Sequence, residues 1–126
     1  MIEYTQNKQR KLVELLYKKT LERKIKWEIN TQEQIYTNIA GRLLFVHSGI
    51  NEQGEDLILF NLYDGEGKQS DAFNDETIKF DEFVPSGFDN WYLLCAALMD
   101  MAKRQATGAD DTLDAMIDEL DDDVPF

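Results

Sequence analysis

The chain has 126 residues, of which 43% are hydrophobic and 11% aromatic. This length and composition predict one globular domain with a buried core and exclude an intrinsically disordered polyelectrolyte. The 25 acidic and 13 basic side chains give a net charge of −12, which argues against a surface that grips nucleic acid or an anionic membrane. Because the chain shows no membrane-length apolar run, no signal-peptide core and only one cysteine, we expect a cytoplasmic protein.

The N-terminal segment, residues 4–23, has the pattern of an amphipathic helix. Its apolar face repeats at helical spacing and carries Leu12, Val13, Leu16, Thr20 and Leu21. Residues 1–28 hold eight bases and four acids, so this end is basic while the rest of the chain is acidic. A solvated polar face explains the basic residues. The alternative is a weak contact with nucleic acid or an acidic partner.

The middle of the chain has the alternating and β-branched pattern of strands. Residues 24–29 alternate polar and apolar, and residues 35–50 are rich in β-branched and aromatic side chains, with Gly41 marking a bulge or bend. Residues 57–63 form a further strand, and the Asp-Gly-Glu-Gly turn at 64–67 predicts a hairpin back through residues 68–73. We therefore expect three or four mostly antiparallel strands in a meander.

Two helices follow a connector at residues 81–88. The first, residues 90–105, carries a regular apolar stripe, with Asp89 as the expected N-cap and Gly108 as the C-terminal cap. The second, residues 111–120, repeats the pattern with Leu113, Met116, Ile117 and Leu120. The sequence thus predicts an α+β fold with an N-terminal helix, an antiparallel sheet and two C-terminal helices. We expect one domain over residues 1–120 and an exposed acidic tip at 121–126.

The residues with catalytic potential are few. His47, the single histidine, lies in a predicted strand, and Cys95, the single cysteine, lies on the apolar stripe of a helix. We interpret His47 as a surface or structural residue and Cys95 as a small buried hydrophobe. A nucleophilic Cys–His pair is the alternative, whereas one His and one Cys are too few for a Cys/His zinc site.

We expect no enzyme activity, no cofactor and no metal. The two glycines of the Asp64 hairpin turn open no helix, so they do not form a phosphate-binding loop, and Lys68 occupies a ligand position of the calcium-loop pattern. The acids Glu55, Asp56, Asp64 and Asp71 flank turns and look like solubilising charge. A metal-dependent activity lost on replacement of Asp64 or Asp71 would favour the enzyme hypothesis.

The last residues carry the most informative motif. Residues 110–126 contain eight acids and no base, and they close on a six-residue segment: Asp121, Asp122, Asp123, Val124, Pro125 and Phe126. Repulsion within the aspartate run and the helix-breaking Pro125 predict an extended, exposed conformation. A large apolar ring at the end of a charged run is typical of a peptide ligand, in which Phe126 enters a pocket and its α-carboxylate pairs with Arg or Lys.

This segment, residues 121–126, resembles the C-terminal tip of bacterial single-stranded DNA-binding proteins. Those proteins end in an aspartate run, then Ile or Leu, then Pro-Phe, and Val124 is the one conservative departure. The resemblance implies docking onto genome-maintenance proteins: exonuclease I, RecQ-type helicases, the primosome restart helicase, the recombination mediator RecO and a clamp-loader subunit. It also implies that Phe126 and its carboxylate anchor the contact.

The rest of the chain does not resemble that family. Members of that family have a five-stranded OB barrel with basic and base-stacking residues, followed by a long linker before the tip. The pattern of this sequence predicts neither the barrel nor the linker. Residues 23–27 and 102–110 instead are similar to segments of a widespread group of small uncharacterised bacterial proteins. This second resemblance implies a fold unit and no activity.

Three hypotheses remain besides the enzyme hypothesis. The first is an interaction protein that docks onto repair, recombination or replication enzymes through residues 121–126, recruiting or inhibiting them. The second is an acidic DNA mimic, in which residues 29–126, with twenty-one acids and five bases, occupy a nucleic-acid site on an enzyme. The third is an acidic domain with a merely solvated end. The stripe of the last helix packs either on its own body or on a second copy.

Overall fold

The computed structural model describes residues 2–79 and 84–122. The chain runs from helix α1 (Ile2–Leu21) into a five-stranded sheet and then into two long helices. The strands are β1 (Glu28–Ile29), β2 (Ile35–Ile39), β3 (Arg42–Ile50), β4 (Asp56–Tyr63) and β5 (Gln69–Asn74). A short helix α2 (Asp75–Ile78) follows the sheet, and α3 (Trp91–Thr107) and α4 (Ala109–Asp122) complete the order. The α+β class and this order of helices and sheet confirm the prediction.

The sheet is an antiparallel meander in the order β1-β2-β3-β4-β5. The expected three or four strands were too few, because Gly41 marks a hairpin turn and neither a bulge nor a bend. Ala40 and Gly41 both have positive φ, at 55° and 75°, which is the backbone of a two-residue hairpin between β2 and β3. Asp64 fixes the later hairpin, since its Oδ1 accepts the N–H groups of Glu66 and Lys68 at 2.9 and 3.0 Å.

The first predicted strand is shorter than its alternating pattern suggested. Only Glu28 and Ile29 pair with β2, although Trp27 is buried as the alternation predicts. The preceding residues are held by side chains, since the Thr37 hydroxyl donates to the Lys26 carbonyl at 2.8 Å. The Trp27 Nε1–H also donates to Thr20 Oγ1 at 2.9 Å, which ties this segment to α1.

The core lies between one face of the sheet and the helices α1, α2 and α3. Phe60 and Phe73 stack with ring centroids 4.9 Å apart on adjacent strands. The fully or almost fully buried apolar side chains of the core include Val13, Leu16, Val46, Ile58, Phe60, Ile78, Leu94, Cys95, Leu98 and Ala102. The opposite face of the sheet carries the contacting rings of Tyr36, Phe45 and Tyr63, all of them partly exposed.

Of the two caps predicted for helix α3, the C-terminal cap is confirmed and the N-cap is one residue later than expected. The N-cap is Asn90 and not Asp89, because the Asn90 Oδ1 accepts the Leu93 N–H at 2.8 Å. Gly108 forms the C-terminal cap as predicted, in the left-handed conformation at φ 68° and ψ 29°. Among the helices of residues 2–79 and 84–122, none has the length and apolar character needed to cross a bilayer.

Candidate protein-interaction segment

Gly108 redirects the chain between the last two helices. Its N–H bonds back to the carbonyls of Arg104 and Gln105, which closes α3, and the Gly108 carbonyl then accepts the Thr112 N–H at 3.0 Å. Helix α4 therefore starts one residue after α3 ends. Gly108 is the one residue between the two helices, and its left-handed conformation turns the chain from α3 into α4.

A cluster of charges holds the first turn of α4 against the body. The Arg104 guanidinium donates to the Asp110 carboxylate at 2.5 Å, and Arg23, after the end of α1, lies 3.7 Å from the same carboxylate. The hydrogen bond with Arg104 lowers the pKa of Asp110, and Asp110 in turn raises the pKa of Arg104. All three side chains are at least 42% exposed, so this cluster orients the helix and stabilises it only slightly.

Beyond that first turn the side chains of α4 are exposed. Residues 111–121 are all exposed, and the main contacts of α4 within the described residues are with the adjoining helix α3. Four large apolar side chains at helical spacing form one face, which we call the α4 stripe: Leu113 is 50% exposed, Met116 60%, Ile117 52% and Leu120 65%. Of the two alternatives left open by the sequence, packing of this face on its own body is not found in the described chain.

Acids border the α4 stripe along one side. Spacings of four, four and three residues place them on adjacent turns, and we call this row the acidic ridge: Asp110, Asp114, Asp118 and Asp121. The helix has seven acids and no base. The ridge leads directly into the aspartate run of residues 121–126, the segment that we call the tip.

The structure reaches only the first two residues of the tip. Asp121 and Asp122 continue α4, so the extended conformation expected from Asp121 onward is not found there. The helix continues because the conformational restriction from Pro125 acts on itself and on the residue before it, which leaves Asp121 and Asp122 free to stay helical. Asp121 is exposed, as expected. Asp123, Val124, Pro125 and Phe126 lie outside the described residues.

The two residues with nucleophilic or basic chemistry do not meet. His47 is exposed on β3, where its Nε2 lies 2.9 Å from the Asn61 Nδ2, on the sheet face away from the core. Cys95 is fully buried in α3, and burial strongly raises the pKa of its thiol, with the nearby Asp75 adding to the effect. A buried, protonated thiol is a packing residue, as the apolar stripe indicated.

The acids of the body occupy ordinary structural positions. Asp64 caps its hairpin turn, and these backbone hydrogen bonds lower the pKa of the Asp64 carboxyl. Asp71 accepts from the Gln9 amide at 3.0 Å, which joins β5 to α1. Among residues 2–79 and 84–122, no three His, Cys, Asp or Glu side chains are placed to hold a metal ion together.

The α4 stripe is the feature that sequence reasoning identified without deciding what covers it. Its periodicity predicted the helix and the apolar face, and most of its neighbours in sequence are acids that prefer water. That composition was the available signal for an uncovered face. Comparisons with protein-family models, with curated proteins and with solved structures gave no match to this chain.

Proposed function

We propose that this chain is a non-enzymatic interaction protein that docks onto a DNA repair, recombination or replication enzyme through its tip. The observation that carries the proposal is the tip sequence, Asp-Asp-Asp-Val-Pro-Phe, whose first two residues end a helix with exposed side chains from residue 111 to residue 121. The partner enzyme binds the tip as a peptide, and the folded body either comes with it or blocks competing ligands.

The chemistry of the tip suits a small apolar pocket with a basic rim. Burial of the Phe126 ring would contribute about 1.5–3 kcal/mol, and the carboxylate of that residue would pair with an Arg or Lys at the pocket edge. The aspartates would meet a basic ridge and mainly accelerate and orient the encounter. Together these contacts give an affinity of roughly micromolar strength, which falls as salt is raised.

The placement of the tip supports its use as a ligand. Asp121 lies at the far end of a fourteen-residue helix, which rises about 1.5 Å per residue and is anchored at its first turn by Arg104 and Arg23. Eleven residues, or about 16 Å of helix, separate a partner bound at Asp121 from the ion pairs of Asp110. The seven acids of α4 also give the surface leading to the tip a uniformly negative charge, which attracts a basic partner.

The test is direct binding of the full chain to purified exonuclease I, a RecQ-type helicase and RecO. Deletion of Phe126 is expected to weaken binding to the responsive enzyme by about tenfold or more, since the buried ring is lost. The matched control is Val124→Ile, which restores the more usual residue and is expected to bind as well as the original chain. A synthetic tip peptide from a single-stranded DNA-binding protein is expected to compete.

Unchanged binding after deletion of Phe126 would refute the proposal. Activity assays of the responsive enzyme, with and without the chain, then distinguish recruitment from inhibition. In an inhibitor, added chain lowers the rate, and the deletion variant restores it. In a recruited protein, the rate is unchanged while the complex still forms.

The acidic DNA mimic is the second candidate, and one feature of the body favours it. A cleft of about 510 Å³ between the start of β4, α2 and the start of α3 is lined by five acids and one base: Glu55, Asp56, Asp75, Glu76, Asp89 and Lys79. A mimic would present such a surface to a nucleic-acid site. It predicts that Glu55→Lys with Glu76→Lys abolishes binding, whereas deletion of Phe126 leaves binding intact.

A further inference from the structure

The α4 stripe is apolar surface that nothing in the described part of the chain covers. Leu113, Met116, Ile117 and Leu120 follow one another at spacings of three, one and three residues, so they form a continuous strip along two turns. Each is half or more exposed, whereas the equivalent residues of α3 are almost completely buried. Contiguous exposed apolar surface of this kind is typical of an interaction site.

The charge around the strip indicates what covers it. The acidic ridge flanks one side, and α4 contains no basic residue to offset it. A second α4 laid against the first would bring two acidic ridges, with four acids in each, close to the shared apolar face without counter-charges, so helix pairing between two copies is disfavoured. The complementary surface is an apolar groove with Lys or Arg along one wall.

The body of a second copy does not supply such a groove. The basic groove at the root of α4 is lined by Arg23, Lys24, Lys26 and Arg104, with three acids among them: Glu28, Asp110 and Asp111. Arg23 and Arg104 already pair with Asp110, and Lys26 lies 4.0 Å from Glu28. An incoming acidic helix would have to break these pairs, and it would approach a chain whose net charge is −12.

We infer that the α4 stripe is a second binding element, which lies in an apolar groove with a basic wall on the same enzyme that binds the tip. The inference rests on the proposed function. The occupant of the groove is the helix face, with anchors at positions i, i+3, i+4 and i+7, which is the pattern of a helix-in-groove contact.

The covalent connection between stripe and tip limits where the groove lies. Five residues separate Leu120 from Phe126, and the six Cα–Cα steps between them span at most about 22 Å in a fully extended chain. The groove on the partner is therefore within about 22 Å of the pocket for the phenyl ring. Because the acidic ridge lies on one side of the helix only, the basic wall fixes the orientation of the bound helix.

The experiment compares full-chain variants against the enzyme that responds to the tip. The test variant is L113S/I117S, which removes two anchors, and the matched control is T112S/A115S, which makes two serine substitutions off the stripe without changing any charge. We expect the test variant to bind about tenfold or more weakly and the control to bind within about twofold of the original chain. A third variant, L113M/I117M, keeps the strip apolar and is expected to retain binding, which separates the loss of anchors from the loss of helix.

The outcomes separate this inference from the proposed function. If deletion of Phe126 weakens binding and L113S/I117S does not, the inference is wrong and the tip acts alone. If neither change matters, the proposed function fails and the inference fails with it. Sedimentation equilibrium tests whether a second copy of the chain covers the α4 stripe instead. Self-association of the original chain that is lost only in L113S/I117S would show this and would overturn the inference.

Discussion

Helices α3 and α4 have the same apolar periodicity and opposite environments. In α3 the stripe of Trp91, Leu94, Cys95, Leu98 and Ala102 is at most 4% exposed, whereas the four residues of the α4 stripe are 50–65% exposed. The two helices are separated by one residue, Gly108. Periodicity therefore identifies an apolar face without saying what covers it. Here the sheet and α1 cover α3, and the turn at Gly108 directs α4 away from them.

The largest expected effect is the difference in stability between an alanine substitution in the core and one on the α4 stripe. Phe60 is completely buried and stacks on Phe73, so Phe60→Ala is expected to lower the free energy of unfolding by about 3–5 kcal/mol. Ile117→Ala on α4 is expected to change it by less than about 0.5 kcal/mol, because the side chain is 52% exposed. Urea titrations of both variants measure the difference. Equal losses would mean that the α4 stripe is buried in solution.

An intermediate effect is expected at the junction between the two helices. Gly108 has φ 68°, and a Cβ placed there meets no atom within 4 Å, so Gly108→Ala adds backbone strain without a clash. We expect a loss of about 1 kcal/mol in the stability of the junction, measured by hydrogen exchange of the α4 amides. Gly108→Asn is the control, since asparagine tolerates the left-handed conformation and is expected to recover part of the loss. No change in the alanine variant would argue that α4 is already frayed at its start.

A still smaller effect concerns pH and lies within the body. Burial raises the pKa of Asp75 above its ordinary 3.8, while the Ile58 N–H, which donates to the carboxylate at 2.7 Å, opposes the increase. The folded state therefore holds this proton to a higher pH than the unfolded state. Relative to Asp75→Asn, the free energy of unfolding is expected to fall as pH rises from 3.8 through the raised pKa, and to be constant above it.

Urea denaturation of the original chain and of Asp75→Asn, at pH values from below 3.8 to above the raised pKa, measures the difference in their free energies of unfolding. A difference that grows with pH would contradict the expected fall, because it would require the folded state to prefer the charged carboxylate. The same titration of a chain shortened after Thr107 is a useful control. Asp75 bonds to β4 and lines the cleft beside α2 and the start of α3, so the removal of α4 is expected to leave the pH dependence of the difference unchanged.

Much of the fold followed from local patterns. The period of the apolar residues predicted α1, α3 and α4, and the turn residues around Asp64 predicted a hairpin. The strand count was underestimated because Ala40, a non-glycine residue, shares the left-handed turn with Gly41, so the turn signal at this hairpin was weak. The four-residue helix α2 was missed because a single turn capped by Asn74 has too few residues to show a period.

Only part of the candidate site could be predicted from the sequence. The tip was identifiable from sequence, because its character depends on the order of six residues, Asp121, Asp122, Asp123, Val124, Pro125 and Phe126, and needs no tertiary contact. The α4 stripe was visible as a pattern, but its exposure was not, since the alternatives of packing on the body or on a second copy have the same sequence. Whether residues 121–126 bind a genome-maintenance enzyme stays a prediction for the binding experiments.

Local sequence was sufficient for the α+β class, the helix periods, the capping glycine and the acidic tip with its Pro125-Phe126 pair, because each depends on residues close together in the chain. The covered face of α3 and the uncovered face of α4 emerged only from the packing of the folded chain. Burial depends on where distant elements meet, and after the left-handed turn at Gly108 the side chains of residues 111–121 stay exposed, since the main contacts of α4 in the described chain are with α3. The same turn leaves the acidic helix on the outside of the molecule, where a partner can reach it.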